Sequence, residues 1–566
     1  MNWLFGTLIS LAVILIPGVL VLIKHSDDDI PTTWFLVGLV SVAAMLNGAV
    51  ILLAIPLLYL LLASVWFSLL ALGVIMLAAY SPYYDKTRNR IPRLIAKLVL
   101  VMLVVFTISG VYQYGAAAPV QNAAYFNSLI TFAPGNQLFT NSALFPLSHL
   151  PIVSEQYALS IANGKLSNWG GSAKIVDSEQ IVNGSIPYWL FTVASTNTIG
   201  TNHELGYILV SAIDGSDTII KQTSAVGAGL WWTNNIRWVT YLNNDQLIVG
   251  NHYPQIGPGG KIYYVVTKTT QNFDGTVSLG GGSIYTPSGG MVSYAGFASP
   301  SWVNQPWDKA EIQTLAQNWG YYRNGNGTFS FFAGGFLTIP ASEYKLDVVG
   351  SQELVPYGGH SALLVFLSPA GAPKSLDGVL MVTNSTFTYY NFEGYNFISP
   401  SYAQGLTEGQ FTQRAGGNLT AGAPILYPVN GVYSWIVPSY YYDTHAKITY
   451  LWGIGIMNAV NGSNFQWIPS ATPISSPTGV TGLLNQAIET FVGSSVFSTI
   501  NGTVQNLQSY VQNGETTVAV ELNNTWYQGT ANTMPFDAWV QMLSISAGSK
   551  VTIQVSGQTV VGVSAT

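Results

Sequence analysis

Beyond residue 118, only two places set a histidine beside a carboxylate, His203-Glu204 and Asp443-Thr-His445. Either pair could take part in acid–base or metal chemistry, but a bare pair defines no coordination geometry. The other histidines beyond residue 118, His149, His252 and His360, are widely dispersed, and surface hydrogen bonding is the simpler role for all of them. No G-x-S-x-G elbow, H-E-x-x-H helix or phosphate-binding Walker loop is present. Cysteine is absent, which removes thiol chemistry, disulfides and thiolate metal sites. No catalytic residue, cofactor or metal ligand is therefore assigned.

Asp214-Gly-Ser and Asp274-Gly-Thr resemble the paired loops of aspartic proteases, in which two carboxylates share one proton and work in acid. The order here is Asp-Gly-Ser/Thr rather than Asp-Ser/Thr-Gly, and both segments fall where hairpin turns are expected, so both are assigned as turns. Trp231 and Trp232, with the run Tyr440, Tyr441 and Tyr442, offer either an aromatic platform for a glycan or peptide or simple core packing. Seven N-x-S/T sequons, at Asn183, Asn326, Asn384, Asn418, Asn461, Asn501 and Asn523, fit a glycosylated surface protein. A stretch this rich in Asn, Ser and Thr also generates several by chance.

The elements that position these residues begin with a lipid-soluble N-terminal region. Residues 3–23 read as one membrane span, the charge-free stretch 34–80 as two spans or as one span with a re-entrant part, and residues 94–113 as the last. Four spans are expected over residues 1–115. The basic cluster Lys86, Arg88, Arg90, Arg93 and Lys97 lies just before the last run and is expected to stay in the cytoplasm, which sends everything after residue 115 outward. No Asp, Glu, Lys or Arg falls within the apolar core of the first three spans, so the region is expected to act as an anchor or docking surface rather than a charged transport path. A cleaved signal peptide is disfavoured, because no positive charge precedes the first run.

From residue 118 onward the chain carries 13 Lys plus Arg against 21 Asp plus Glu, a net charge of −8. Such sparse, weakly acidic charge makes nucleic acid an improbable partner. It also has a consequence in acid, which unfolds proteins largely by protonating paired carboxylates; few carboxylates leave little to lose. Adaptation to heat alone would instead raise Glu and Lys. In this the composition resembles surface proteins of thermoacidophilic archaea.

Pairs of strand-like runs recur along the outer part: Ile186–Val193 with Gly206–Gly215, Lys261–Val266 with Gly282–Gly289, Ser361–Phe366 with Gly378–Val382, and Gly431–Val437 with Ile448–Ile456. Helices precede at least two of them. Asp308 is placed to cap a helix whose face is Ile312, Leu315, Ala316 and Trp319, and Ser154 to cap a shorter one. The unit Pro151–Gln222, a helix followed by strands at 173–182, 186–193 and 206–213 and a turn at Asp214-Gly215, resembles PepSY-type modules. That resemblance implies a non-catalytic module that binds peptide segments or restrains a partner outside the membrane.

The expected fold class is a membrane α-helical N-terminal region of about four spans plus a large extracytoplasmic β-rich α+β domain built of repeated helix and antiparallel-sheet units. The expected divisions are a transmembrane region at 1–115, a connector at 116–150, a PepSY-like unit at 151–225, a second β unit at 226–305, a third α+β unit at 306–398, a fourth β unit at 399–468, and at 469–566 a proline-marked linker, a helix and a small β domain with strands near 517–522, 538–543, 550–555 and 559–563. The expected function is binding or assembly within a surface or membrane complex, in a cell or virion membrane. Its partners would be the membrane, other membrane or surface proteins and, through the aromatic residues, glycans. An acid-active hydrolase and an accessory or receptor subunit of a transporter are the alternatives.

Overall fold

Short β-branched and aromatic runs, punctuated by Gly, Asn and Pro, favour strands joined by tight turns. The computed structural model describes residues 118–139, 144–197, 202–243, 249–271, 276–323, 345–411, 417–494, 498–512, 515–530, 536–556 and 559–565. Among these residues it contains 25 strands in five sheets and seven α-helices. The chain forms two compact units, one drawn from residues up to Ser128 with Asn197–Glu204 and Thr223–Glu343, the other from Leu129–Thr196, Leu205–Gln222 and Tyr344–Thr566.

The expected fold class requires correction. The structure is β-rich, and no helix among the described residues is long and apolar enough to cross a membrane. The longest, Pro477–Ser494, turns Val480, Leu484, Ala487 and Phe491 into a protein core, and its other faces carry Asn485, Gln486 and Glu489, which lipid would not accept. The four expected spans, and with them Lys86, Arg88, Arg90, Arg93 and Lys97, lie outside the described residues. The membrane and transmembrane-helix assignment accordingly has no counterpart among the described residues.

The first unit is built on a four-stranded antiparallel meander, Val249–Ile256, Ile262–Gln271, Val277–Tyr285 and Met291–Tyr294. Helix Lys309–Tyr322 begins at Asp308, whose side chain accepts from the Ala310 and Glu311 amides, and it buries Ile312, Leu315, Ala316 and Trp319. Helix Ala118–Leu129 is pinned to the same unit by polar contacts. Asn122 Oδ1 accepts from Val277 N at 2.8 Å, Tyr125 Oη accepts from Leu279 N at 3.0 Å, and Asn127 Oδ1 accepts from Trp319 Nε1 at 2.9 Å.

The second unit holds the other four sheets. Strands Ala173–Asn183, Ile186–Ser195, Gly206–Ser211 and Asp217–Ile220 form a meander in chain order, preceded by helix Glu155–Lys165, which Ser154 caps by accepting from Tyr157 N. A six-stranded sheet pairs His360–Pro369 with Gly378–Val382 and Phe387–Asn391. At its edge, Ile130–Pro134 runs parallel to Phe387–Asn391, a partner more than 250 residues away. A five-stranded sheet centres on Val432–Asp443 and Ile448–Asn458. One continuous core takes in Phe191, Ile208, Phe366, Trp435 and Phe491, with the Phe392 and Phe397 rings stacked at 4.1 Å.

The last sheet has the order Ser498–Thr503, Lys550–Ser556, Thr559–Ala565, Thr525–Thr530, Glu515–Leu522, Asn506–Gln512. The Asn523-Asn524 loop, with both φ angles positive at 51° and 61°, makes the tight mirror-image turn that joins adjacent strands. Two local expectations differ from the structure here. The segment 538–543 is helical, within Phe536–Ser544, because Trp539 and Met542 lie three residues apart and both turn inward. Pro469 and Pro473 sit in the terminal strand Gln466–Ile474 rather than in a linker, and an edge is where a sheet tolerates a residue that cannot donate.

Candidate functional site

The two histidine–carboxylate pairs do not become sites. Glu204 is fully buried while His203 is exposed, so adjacent side chains part company. Asp443 closes a turn by accepting from the His445 and Ala446 amides at 2.8 and 3.0 Å. Those amides, Ala446 first, hold its carboxyl below the usual range. His445 Nδ1 stands 3.9 Å from the Asp443 carboxylate, with its ring in solvent. His149 is half-buried, His252 buried and His360 exposed. Among the described residues, no group of three or more His, Asp or Glu side chains could hold a metal ion.

Asp214 is a turn residue. Its Oδ1 accepts from Ser216 N at 3.0 Å and Ser216 Oγ at 2.8 Å, and Gly215 takes a φ of 79°. Burial pushes this carboxyl up, but the donors from Ser216 and Ser211 outweigh it and leave it lowered. Asp274 lies outside the described residues, so no pairing with Asp214 can be drawn.

A cluster of titratable groups stands where helix Lys309–Tyr322 meets strand Val249–Ile256. Asp308 Oδ2 accepts from Asn251 N at 2.5 Å, its Oδ1 from Ala310 N at 2.8 Å and Glu311 N at 3.1 Å, and Lys309 N donates to Tyr253 Oη at 3.2 Å. Burial, reinforced by the Asp308 charge, raises the Glu311 carboxyl to about 7. Two carboxylates in unequal surroundings are the raw material of acid–base catalysis. Here, however, both Asp308 oxygens already accept backbone amides, which makes the group a clamp between strand and helix rather than a free nucleophile.

A groove of about 530 Å³ lies in the second unit, lined by Leu159, Asn163 and Leu166 from the helical side and by Lys174, Ile175, Val176, Asp177 and Ser178 from strand Ala173–Asn183. Neighbouring side chains on a strand point to opposite faces, so five consecutive lining residues mean that the groove follows the strand's edge. This strand is terminal in its sheet. The register with Ile186–Ser195 slips between Ile175 and Asp177, leaving Val176 as the extra residue of a bulge. Ser178 Oγ donates to Glu155 Oε1 at 2.5 Å, which ties the strand to the start of the helix. The groove thus combines apolar walls with one cation, one carboxylate, an amide and a hydroxyl. Neither composition nor motif spacing points to it, since a bulge arises from pairing partners that a single run does not reveal.

The aromatic candidates divide between the units. Trp231 is exposed, at 55%, in the first unit, and the backbone of Trp232 opens a single helical turn, Trp232–Asn234. In the second unit Tyr440 and Tyr441 are buried and Tyr442 is half-exposed at 38%. Tyr440 Oη donates to Ile152 O at 2.6 Å, and the Tyr441 ring meets Trp452 at 6.0 Å. The three tyrosines therefore form no common surface. Among the sequons, Asn183, Asn418, Asn461, Asn501 and Asn523 are exposed, Asn384 is partly buried, and Asn326 lies outside the described residues.

No protein-family model and no curated protein matches this chain. Solved structures similar to it include one described as a BT0996 RGII complex and one described as a glycoside hydrolase. Each is 10% identical, with a TM-score of 0.16, over 63% of this chain and 86% of the other protein. Superposition this poor establishes no shared fold.

Proposed function

We propose that this protein is a non-catalytic binding or assembly component that works in acidic surroundings outside the cytoplasm and takes an extended polypeptide segment into the groove beside strand Ala173–Asn183. The observation that carries this is the groove's course along a bulged terminal strand. An extended segment laid there can use main-chain hydrogen bonds for affinity, with Leu159, Leu166, Ile175 and Val176 receiving alternate apolar side chains and Lys174 and Asp177 setting direction. The resemblance of Pro151–Gln222 to PepSY-type modules implies the same class of ligand. The clamp role of Asp308 weighs against the hydrolase alternative.

The test is selection from a random 12-residue peptide library on the purified chain at pH 4, followed by fluorescence titration of the enriched peptides. Extended peptides of alternating polarity should be enriched, and Val176→Lys should weaken them about tenfold or more. Failure to enrich any peptide, or equal binding by the Val176→Lys protein, would defeat the proposal.

A further inference from the structure

Strand Asn506–Gln512 is the outermost strand of the last sheet and, among the described residues, pairs on one side only, with Glu515–Leu522. Natural sheets protect such edges with lysine, proline, a bulge or a covering element. Asn506-Leu-Gln-Ser-Tyr-Val-Gln512 has no charge and no proline, its pairing register is continuous, and residues 506–511 are all exposed. The register places Leu507 opposite Val520 and Ser509 opposite Val518, and directly opposed residues share a face. Val518 and Val520 are buried in the core of this sheet. Leu507, Ser509 and Val511 therefore carry the core face outward to the edge, where it stops with Val511 at 71% and Leu507 at 37% exposed.

We infer that this edge pairs with the same edge of a second copy of this chain, antiparallel and centred on Ser509. The strand is complementary to itself in that register. Leu507 meets Val511 of the other copy on the core face, Gln508 meets Tyr510 on the opposite face, Ser509 meets itself, and no charged residue of the strand faces another. A twofold axis through Ser509 joins the two sheets into one and continues the interrupted apolar face across the junction. The other end of the sheet lacks these properties. Strand Ser498–Thr503 holds the sequon residue Asn501, whose Oδ1 accepts from Thr552 Oγ1, and no apolar pair in it is related by a twofold axis.

Strand pairing alone buries little surface, so the dimer should be of modest affinity, with a dissociation constant on the order of 1–100 μM. Sedimentation equilibrium of the full chain between 1 and 300 μM should give a monomer–dimer equilibrium. Leu507→Glu and Val511→Lys should each weaken it about tenfold or more, and the double variant, which sets opposite charges against each other across the axis, should recover most of the loss. Because the chain has no cysteine, Ser509→Cys should yield a disulfide-linked dimer under mild oxidation, whereas Val511→Cys, displaced from the axis, should remain a monomer with a free thiol. A monomer at every concentration, equal cross-linking of the two cysteine variants, or no recovery in the double variant would overturn the inference.

Discussion

Tyr264 Oη donates a 2.6 Å hydrogen bond to Glu204 Oε1, joining an inner strand of the four-stranded meander to a fully buried carboxyl group. The same oxygen accepts from Ala228 N at 3.0 Å, and the Glu204 backbone donates to Ser224 O. At Gly227 a Cβ would come within 1.8 Å of that oxygen, so the loop closes over the carboxyl only because glycine is there. Tyr264→Phe is expected to destabilise the protein by about 1–3 kcal/mol, by leaving a buried acceptor short of a donor. Gly227→Ala should cost at least as much through overpacking. Urea denaturation of both variants is the measurement, and unchanged midpoints would show that Glu204 is held by other contacts.

Two carboxyls, Glu353 buried and Glu311 part-buried, predict how stability follows pH. Glu311 is raised to about 7 by burial and the Asp308 charge, and Glu353 is raised well above the ordinary value by burial, against the weaker opposing effect of the Leu426 amide that its Oε2 accepts at 3.3 Å. Their folded pKa values exceed the unfolded ones, so the native state holds more protons. The stability they contribute is complete below about pH 4 and is lost as pH rises through the folded values, which for Glu311 is near 7. For Glu311 the loss is up to about 3 kcal/mol. The lowered Asp214 and Asp443 act in the opposite sense, losing stability as pH falls, but through exposed or half-exposed turn contacts. Urea midpoints should therefore fall between pH 4 and pH 8, and Glu311→Gln should flatten the slope between pH 5 and 7.

The exposed sequons differ in what a glycan would disturb. Asn461 and Asn523 lie in turns, with φ of 119° and 51°, and Asn183 precedes a Gly184 turn. Asn501 uses its side chain within the sheet, and Asn418 sits in strand Gly417–Ala421 opposite Tyr442. Glycopeptide mass spectrometry of protein from its native source should show higher occupancy at Asn183 and Asn461 than at Asn418 and Asn501. Equal occupancy at all four would mean that modification ignores the folded contacts.

What a single sequence discloses here depends on distance along the chain. The Asp308 cap and the inward face Ile312, Leu315, Ala316 and Trp319 are written within twelve residues, and the hairpin Ile186–Ser195 with Gly206–Ser211 within about thirty. The parallel pairing of Ile130–Pro134 with Phe387–Asn391 has no local signature, because either run could pair with any other strand of similar polarity. The same limit hides the sites. Glu204 reads as half of a histidine–carboxylate pair until Gly227 and Tyr264 are brought onto it. The groove depends on a bulge at Val176 that exists only in the pairing with the next strand. Segment 538–543 is ambiguous for a different reason: a short apolar run fits both periods, and the inward positions of Trp539 and Met542 decide for helix.

The tyrosine run shows how one strand separates packing from exposure. Tyr440 is buried, and burial raises its hydroxyl pKa further above the usual tyrosine value, so it stays a donor at all working pH values and holds Ile152 O at 2.6 Å. That bond joins strand Val432–Asp443 to the turn just before helix Glu155–Lys165, whose side chains Leu159 and Asn163 line the groove. Tyr440→Phe keeps the ring but leaves the Ile152 carbonyl without this donor, and should cost about 1–3 kcal/mol. Tyr442, half-exposed, should tolerate alanine within about 0.5 kcal/mol. If the groove binds peptide as proposed, Tyr440→Phe should weaken binding only by loosening the helix, so the loss should shrink on cooling well below the unfolding transition, whereas Val176→Lys should weaken it equally at every temperature. A binding loss in Tyr442→Ala larger than in Tyr440→Phe would instead place the ligand on the outer face of the strand.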